Sequence, residues 1–350
     1  MKNKIYIGDN LKIMKSKRFE KYKGTIKMIY IDPPYNTTSK FAYNDKRSET
    51  EWEDFMKQRL KCAKELLSES GVIFISIDDN EYAELKVLCD KVFDKSNFVG
   101  TFITNQAQRS NAKHINTIHE YILCYAKNKN KLDTFKIKRI EIPEQKQMID
   151  DISSKVKKEF DEKGNEDATK LLSKLIKKYC NDYNITWLKN YSNVDETGNV
   201  FFAKDLSTPG KPRKVSIPEI KLELKPLPTR GWSSDEKFKA LHKDNLLCFK
   251  GGRPYEKHYL KDSEDNAPSL LNFYSRQGTN DLNKLGLRDL FDTPKPVEMI
   301  KFLIRLVAKD NDIVLDFFAG CGTTAQAVYE VNEENNKKIN YVLIQLDEKC

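Results

Sequence analysis

Along the chain, short and mostly apolar runs alternate with segments whose apolar positions recur every three or four residues. The runs Ile26–Ile31, Val72–Ile77, Val99–Thr104, Tyr121–Tyr125, Ile313–Leu315 and Tyr341–Leu346 have the length of strands. Several end in polar or acidic residues, which predicts buried strands of a parallel sheet. Helical patterns separate several of them. The clearest runs from Glu51 to Ser70, with Trp52, Phe55, Met56, Leu60, Ala63 and Leu67 on one face, acids in the first turn and Gly71 just past the end. A second covers Glu81–Phe93, and a third, carrying Val297, Ile300, Ile304 and Val307, begins after Pro296. Strands alternating with helices predict an α/β doubly wound sheet.

The middle of the chain follows another rhythm. Met148, Ile152, Val156 and Phe160 stand four apart, Gly164 and Asn165 interrupt, and Leu171, Leu172, Leu175, Ile176 and Tyr179 resume, a pattern that predicts a helical hairpin with narrow apolar stripes. From 190 to 290, prolines and glycines punctuate short aromatic segments. The chain therefore divides into residues 1–127 and 291–350, two portions of one sheet domain, and residues 128–290, an inserted α+β region.

Composition narrows this only a little. At 350 residues the chain has room for more than one domain. Its 61 Lys and Arg exceed its 52 Asp and Glu, and the net +9 favours a polyanionic partner without identifying one. Seven cysteines with no CxxC pair read as reduced thiols. The opening MKNKIYIGDN has no apolar signal region, and no stretch approaches the ~18 apolar residues of a membrane span. A cytoplasmic protein is expected.

Two motifs carry chemistry. Met28 to Asn36 is an apolar strand that ends in Asp32 and turns at once through Pro33 and Pro34 to Tyr35. Ligands of open α/β sheets bind beyond the carboxyl ends of strands, which is where Asp32 would project. The prolines fix φ and offer carbonyls without competing N–H donors. An amine conjugated into an aromatic ring suits such a site: its protons would bond Asp32 and a backbone carbonyl, that of Pro33, and Tyr35 would stack on the ring. The bland alternative, a strand followed by a Pro-Pro turn, fits an isolated Asp-Pro-Pro better than the full tetrapeptide at a strand end.

The second motif runs from Ile313 through Asp316, Phe317, Phe318, Ala319, Gly320, Cys321 and Gly322 to Thr323 and Thr324, again a strand ending in an acid, then a glycine pair opening a helix. Glycines let the backbone approach a nucleoside-like ligand, and the helix amino end offers free N–H groups. A phosphate loop of the kinase type needs a lysine after its last glycine, and none follows Gly322. A dinucleotide site tolerates Ala325 as its third small residue, so on this segment alone that reading survives; the pairing with Asp32 decides against it. Between the motifs, Thr293, Pro294, Lys295 and Pro296 shape a turn into a helix, and Lys295 is placed to contact the carboxylate of an amino-acid-like ligand or to stand solvated.

With Gly8-Asp9-Asn10, the Asp32–Asn36 segment, Ile75–Glu81, His119–Lys127, Thr293–Pro296 and the Asp316 glycine loop in this order, the chain resembles the β class of DNA amino-methyltransferases, in which the catalytic motif precedes the cofactor motif. Arg230–Trp232 and Lys250–Pro254 extend the resemblance to the modification subunits of type III restriction systems and their type II relatives. The resemblance covers most of the chain. It implies a Rossmann-like methyltransferase sheet with circularly permuted motif order and S-adenosylmethionine as methyl donor. Asp316, Phe317, Ala319, Gly320, Gly322 and Thr323 would surround the donor's methionine part and Lys295 would cover it. Gln345 or Asp347 would hold the ribose, in place of the family's usual Glu, and Asp9 would approach the adenine moiety. Phe317 and Cys321 depart from the proline and serine common at their positions.

The implied reaction is adenine-specific methylation at N6 of a flipped-out base by Asp32, Pro33, Pro34 and Tyr35 within a restriction-modification system; N4 of cytosine is the alternative. No metal is required, and the absence of a Pro-Cys dipeptide speaks against the thiolate route to cytosine carbon 5. Double-stranded DNA is the expected partner, with a second copy of the chain and a restriction subunit as further candidates. Asn105, Gln108 and Arg109 after a strand, and Arg230, Arg253 and Lys257 in the insertion, are the candidate DNA contacts. Asp78–Glu81 reads as a helix cap, and His119 and Glu120 as backbone partners at a strand start. A recognition subunit with a vestigial site, and an RNA or protein amino-methyltransferase, are the competing readings.

Overall fold

The computed structural model describes residues 3–36, 47–105, 114–287, 291 and 293–347. It divides into two units, Met1–Lys136 with Asn266–Cys350, and Ile137–Asp265.

In the first unit, β1 (Lys4–Ile7) leads through α1 (Asn10–Met14) to β2 (Ile26–Ile31), whose residues are all buried. Next come α2 (Glu49–Leu66), β3 (Leu67–Ile77), α3 (Tyr82–Phe93), β4 (Phe98–Asn105) and β5 (His119–Ala126). After the second unit the chain returns as β6 (Leu270–Leu271), α7 (Arg276–Lys284), α8 (Val297–Val307), β7 (Ile313–Asp316), α9 (Thr323–Asn335) and β8 (Asn340–Gln345). These strands form one sheet in the order β1-β8-β7-β2-β3-β5-β4-β6. The amino-terminal strand thus closes one edge beside the last strand, Ile5 opposite Leu343 and Ile7 opposite Gln345, as a permuted chain requires.

Two expectations fail for identifiable reasons. The sheet is not wholly parallel: β5 runs antiparallel to both β3 and β4. A parallel pair needs a crossover, usually a helix, and the segment between β4 and β5 carries no helical pattern, so β5 returns against β4. The long helix also sits earlier than Glu51–Ser70. Ser48 caps it, its hydroxyl accepting from the Glu51 amide while the Glu51 carboxylate accepts from the Ser48 amide. It stops at Leu66 because Leu67 is already extended and paired with Ile26. Gly71 lies inside β3, where a Cβ would come within 2.7 Å of the Ile26 carbonyl oxygen.

The core beneath the sheet is built from the periodic face of α2 (Trp52, Met56, Leu60, Ala63), that of α3 (Leu85, Leu88, Cys89) and the strand residues Ile29, Ile31, Ile73 and Leu315. In the second unit, α4 (Pro143–Lys163) and α5 (Asn165–Asp182) flank Gly164 and bury Ile149, Ile152 and Val156 against Ala168, Leu172 and Ile176. A four-stranded antiparallel sheet of 247–250, 253–259, 200–205 and 193–194 follows, with α6 (Asp235–Lys243) packed by Phe238 and Leu241 into a second cluster around Trp232. No described helix is long and apolar enough to cross a membrane.

Candidate active site

Asp9, Gln345, Asp316 and Asp32 stand at the carboxyl ends of β1, β8, β7 and β2, four parallel neighbours in the sheet. From β7 the chain winds outward to β8, and from β2 the other way to β3, so the boundary between β7 and β2 is the topological switch point where such sheets open a crevice. A cleft of about 380 Å³ lies there, lined by Asp9, Asp32, Asp316, Thr323 and Gln345 together with Phe55, Phe291 and Phe318. That volume suits a nucleoside-sized ligand.

At the β2 end the prolines and aromatics are held by hydrogen bonds. The Trp52 indole N–H donates to the Pro34 carbonyl at 2.8 Å, which fixes the second proline of the turn at the cleft wall. The Tyr35 hydroxyl donates to Asp32 Oδ1 at 2.7 Å. Lys295 Nζ donates to Tyr35 Oη and to Glu120 Oε2, both at 2.7 Å, and lies 3.3 Å from Asp32 Oδ1. Lys295 therefore does not wait free for a ligand's carboxylate; its partners are the protein's own acids. Burial works to lower the Lys295 pKa, but the charges of Asp32 and Glu120 and its bonds to them prevail and raise it, so the ammonium persists. Burial raises the Asp32 pKa, opposed first by the charge of Lys295, while the charge of Glu120 raises it further. Tyr35 is pushed well up by burial and by both carboxylates and stays a neutral donor.

At the β7 end, Asp316 is 3% exposed and accepts from Thr324 Oγ1 at 2.6 Å and from the Phe318 amide at 3.0 Å. Burial outweighs these bonds and pushes its carboxyl up to about 7. Gly320 has φ +52, and a side chain there would meet the Phe291 ring at 3.0 Å. Its amide donates to Gln345 Oε1 at 2.7 Å, so the glutamine that was expected at a ribose instead braces the glycine loop with its oxygen, leaving its amide nitrogen as the end able to meet a ligand. Gly322 stands at the N-terminus of α9 without a side-chain cap, and Thr323 and Thr324 of its first turn line the cleft. Phe317, Ala319 and Gly320 line the cleft, whereas Asp347 is exposed beyond β8 and Leu346 takes the place at the wall.

Asp9 caps α1, accepting from the Lys12 amide at 2.8 Å, and meets Arg59 Nη2 at 3.4 Å. Arg59 also donates to Asn10 Oδ1 and the Phe55 carbonyl, and its guanidinium lies 3.5 Å from the Phe55 ring centroid. Burial lowers its pKa to about 10, against the pull of Asp9. The Asp78–Glu81 cluster is no side-chain cap. Asp78 bonds Asn80, while Glu81 is buried and accepts from Asn36 at 2.6 Å, fixing the turn after Tyr35.

The residues that the motifs did not point to are Glu120, Arg59, Trp52 and Arg47. A signal existed for two: a buried indole N–H needs an acceptor, and Arg59 interrupts an otherwise apolar helix face. Of the DNA candidates, Gln108 and Arg109 lie outside the described residues, and Asn105 bonds Asn272 at the end of β4. Arg230 bonds Ser207, and Arg253 pairs with Asp205 at 3.0 Å; both are exposed. Lys257 is not a surface cation: its side chain is 5% exposed and pairs with Glu196 at 2.9 Å.

A family profile described as DNA methylase, of the N6/N4 methyltransferase type, matches residues 26–350. The Mod subunit of the type III restriction-modification enzyme EcoP15I of Escherichia coli is 31% identical, over 97% of this chain and 58% of its own length. The type II methyltransferase M.KpnI of Klebsiella pneumoniae is 29% identical, over 97% of this chain and 80% of its own. The chain thus spans little more than half the length of the type III relative. Among solved structures, the cytosine-N4-specific PvuII DNA methyltransferase aligns at a TM-score of 0.47 and 11% identity, over 99% of this chain and 83% of that one, too remote to bear on specificity.

Proposed function

The chain belongs to the DNA methylase family of the N6/N4 type, and on that footing we propose that it transfers a methyl group from S-adenosylmethionine to N6 of an adenine flipped out of double-stranded DNA. The observation that carries the reading is that the Asp32 turn and the Asp316 glycine loop, distant in sequence, open into one cleft from adjacent parallel strands. The cleft fits the donor. Three acids suit its sulfonium and ammonium charges, aromatic rings suit its adenine, and the positive φ of Gly320 brings backbone close.

The donor, when bound, supplies an electrophilic methyl on sulfur. The work of this chain is to present the nucleophile. Asp32 and the Pro33 carbonyl accept the two amino hydrogens of the target base, drawing the nitrogen toward the tetrahedral geometry that frees its lone pair. The Tyr35 hydroxyl orients Asp32 through Oδ1, and the Tyr35 ring stacks on the base. Lys295 keeps Asp32 ionised and therefore an acceptor, and Glu120 anchors Lys295. A carboxylate whose proton affinity is raised by burial is also suited to receive the proton that the nitrogen sheds. Alignment supplies most of the remaining acceleration.

Adenine is preferred to cytosine because the tyrosine form of the tetrapeptide resembles the adenine enzymes. The relatives' names extend the proposal to a restriction-modification setting, with a restriction subunit as partner. The test is transfer of labelled methyl groups to mixed-sequence DNA by the wild type and by Asp32→Ala. Loss of transfer by at least about 1,000-fold, with S-adenosylhomocysteine affinity unchanged, is expected. Transfer at the wild-type rate by Asp32→Ala would remove Asp32 from the reaction, and DNA binding without any transfer by the wild type would favour a recognition subunit. Competition by RNA or peptide exposes the remaining alternative.

A further inference from the structure

The cleft contains an arginine that the motifs do not account for. Arg47 stands one residue ahead of the Ser48 cap of α2 and lines the cleft wall. Its backbone is pinned: the Arg47 amide donates to Asn36 Oδ1 at 2.8 Å, and Asn36 donates in turn to the buried Glu81. Its guanidinium lies 4.3 Å from the centroid of the Phe55 ring. Its Nη1 is buried and has no hydrogen-bond partner among the described residues. A buried guanidinium N–H without an acceptor is costly, and on a residue that lines a cleft the missing acceptor is most simply a ligand atom that the side chain turns to meet.

Among the described residues, the other cations of the cleft are committed. Lys295 is bonded to Glu120 and Tyr35 and paired with Asp32; Arg59 is bonded to Asn10, Phe55 and Asp9. The acids Asp9, Asp32 and Asp316 repel an anion. An anionic ligand group entering the cleft therefore has Arg47 as its complement. S-adenosylmethionine carries a sulfonium, an ammonium and a single anionic group, its carboxylate.

We propose that Arg47 receives the carboxylate of the methyl donor through its guanidinium, and so selects for the intact amino-acid end of that donor. This rests on the reading of the cleft as a donor site. A DNA phosphate is the other anion at hand, but Arg47 lines the same cleft as Asp316 and Gly320, the loop read as the donor's site. Lys295, the residue first expected at the carboxylate, is thereby freed for Asp32.

The experiment measures, by calorimetry, the dissociation constants of S-adenosylmethionine and of its decarboxylated form for the wild type, Arg47→Met and Arg47→Lys. Methionine keeps an apolar stem on Phe55 and removes the charge; lysine restores the charge without the fork. For S-adenosylmethionine, Arg47→Met should weaken binding roughly 10- to 100-fold, the range of a charge-assisted hydrogen bond, and Arg47→Lys should fall between. For the decarboxylated donor all three proteins should agree within about twofold. Equal weakening for both ligands would make Arg47 merely structural and overturn the assignment. So would unchanged donor binding with weakened DNA binding, which would make it a phosphate contact. Absence of binding of either donor to the wild type overturns the donor reading itself, and this assignment with it.

Discussion

Replacing Lys295 by methionine is the perturbation that most severely tests the electrostatics of the site. The Lys295 side chain is 14% exposed, and its ammonium lies 3.3 Å from Asp32 Oδ1 and 2.7 Å from Glu120 Oε2. At an effective dielectric constant of about 20, each such contact represents roughly 5 kcal/mol of gross attraction. Desolvation of the ammonium offsets much of it, so the net loss on removing one partner of the cluster should be about 3–5 kcal/mol. The loss should depend on pH in a fixed direction. Without Lys295 the charge that holds the Asp32 pKa down is gone, and burial and Glu120 raise it further above its unfolded value. The folded variant then binds more protons than the unfolded chain, so its stability falls as pH rises from the ordinary carboxylate range toward the raised folded value. Urea denaturation of wild type and Lys295→Met near pH 5 and pH 8 measures this: the deficit should be larger at pH 8. Adding Glu120→Gln removes the second buried charge and should recover more than about 1 kcal/mol in a double-mutant cycle. A Lys295→Met protein as stable as the wild type at pH 8, or strictly additive effects, would refute the account of the cluster.

Asp316 titrates near 7 when folded and near its ordinary value of 3.8 when unfolded. Its raised pKa should therefore cost stability progressively as pH rises between those values, up to about 4 kcal/mol, a slope that Asp316→Asn should flatten in denaturation curves. By the same linkage, S-adenosylhomocysteine, whose ammonium favours the ionised carboxyl, should bind near pH 6 with release of up to one proton, seen in calorimetry across buffers of different ionisation enthalpy. Trp52→Phe removes the donor to the Pro34 carbonyl and should cost about 1–3 kcal/mol, lowering kcat for methyl transfer while leaving S-adenosylhomocysteine affinity unchanged. Gly278→Ala would place a Cβ 2.0 Å from the Pro294 carbonyl oxygen, next to Lys295; a drop of at least about 1–3 kcal/mol in stability is expected, and an unchanged Tm would contradict the close approach.

Much of the fold was legible because six of the eight sheet strands contain compact apolar runs, and those of β2 and β7 end at Asp32 and Asp316. Periodicity placed the helices of both units, and Gly164 placed the break in the hairpin. Strand direction was not legible for β5, since a strand buried on both faces has the same apolar pattern whichever way it runs. Asp32 and Asp316 could be read from their turns because each motif is local. Glu120 could not, because its place in the site depends on Lys295, 175 positions later, and two segments that far apart meet only through tertiary packing. Lys257 reads as a surface cation for a related reason: it is buried against Glu196, 61 positions earlier, a pairing no local pattern announces. The bond from the Gly320 amide to Gln345 could not be read from residue type, because it joins two segments 25 positions apart.

Whether an exocyclic base nitrogen is methylated at Asp32 is read from the chemical identity of the product. DNA incubated with the protein and methyl-labelled S-adenosylmethionine is digested to nucleosides and resolved by mass spectrometry. The account predicts label in N6-methyladenine, lost with Asp32→Ala. Label in N4-methylcytosine would correct the base while keeping the chemistry; label in 5-methylcytosine, or in no nucleoside at all while donor and DNA both bind, would contradict the account.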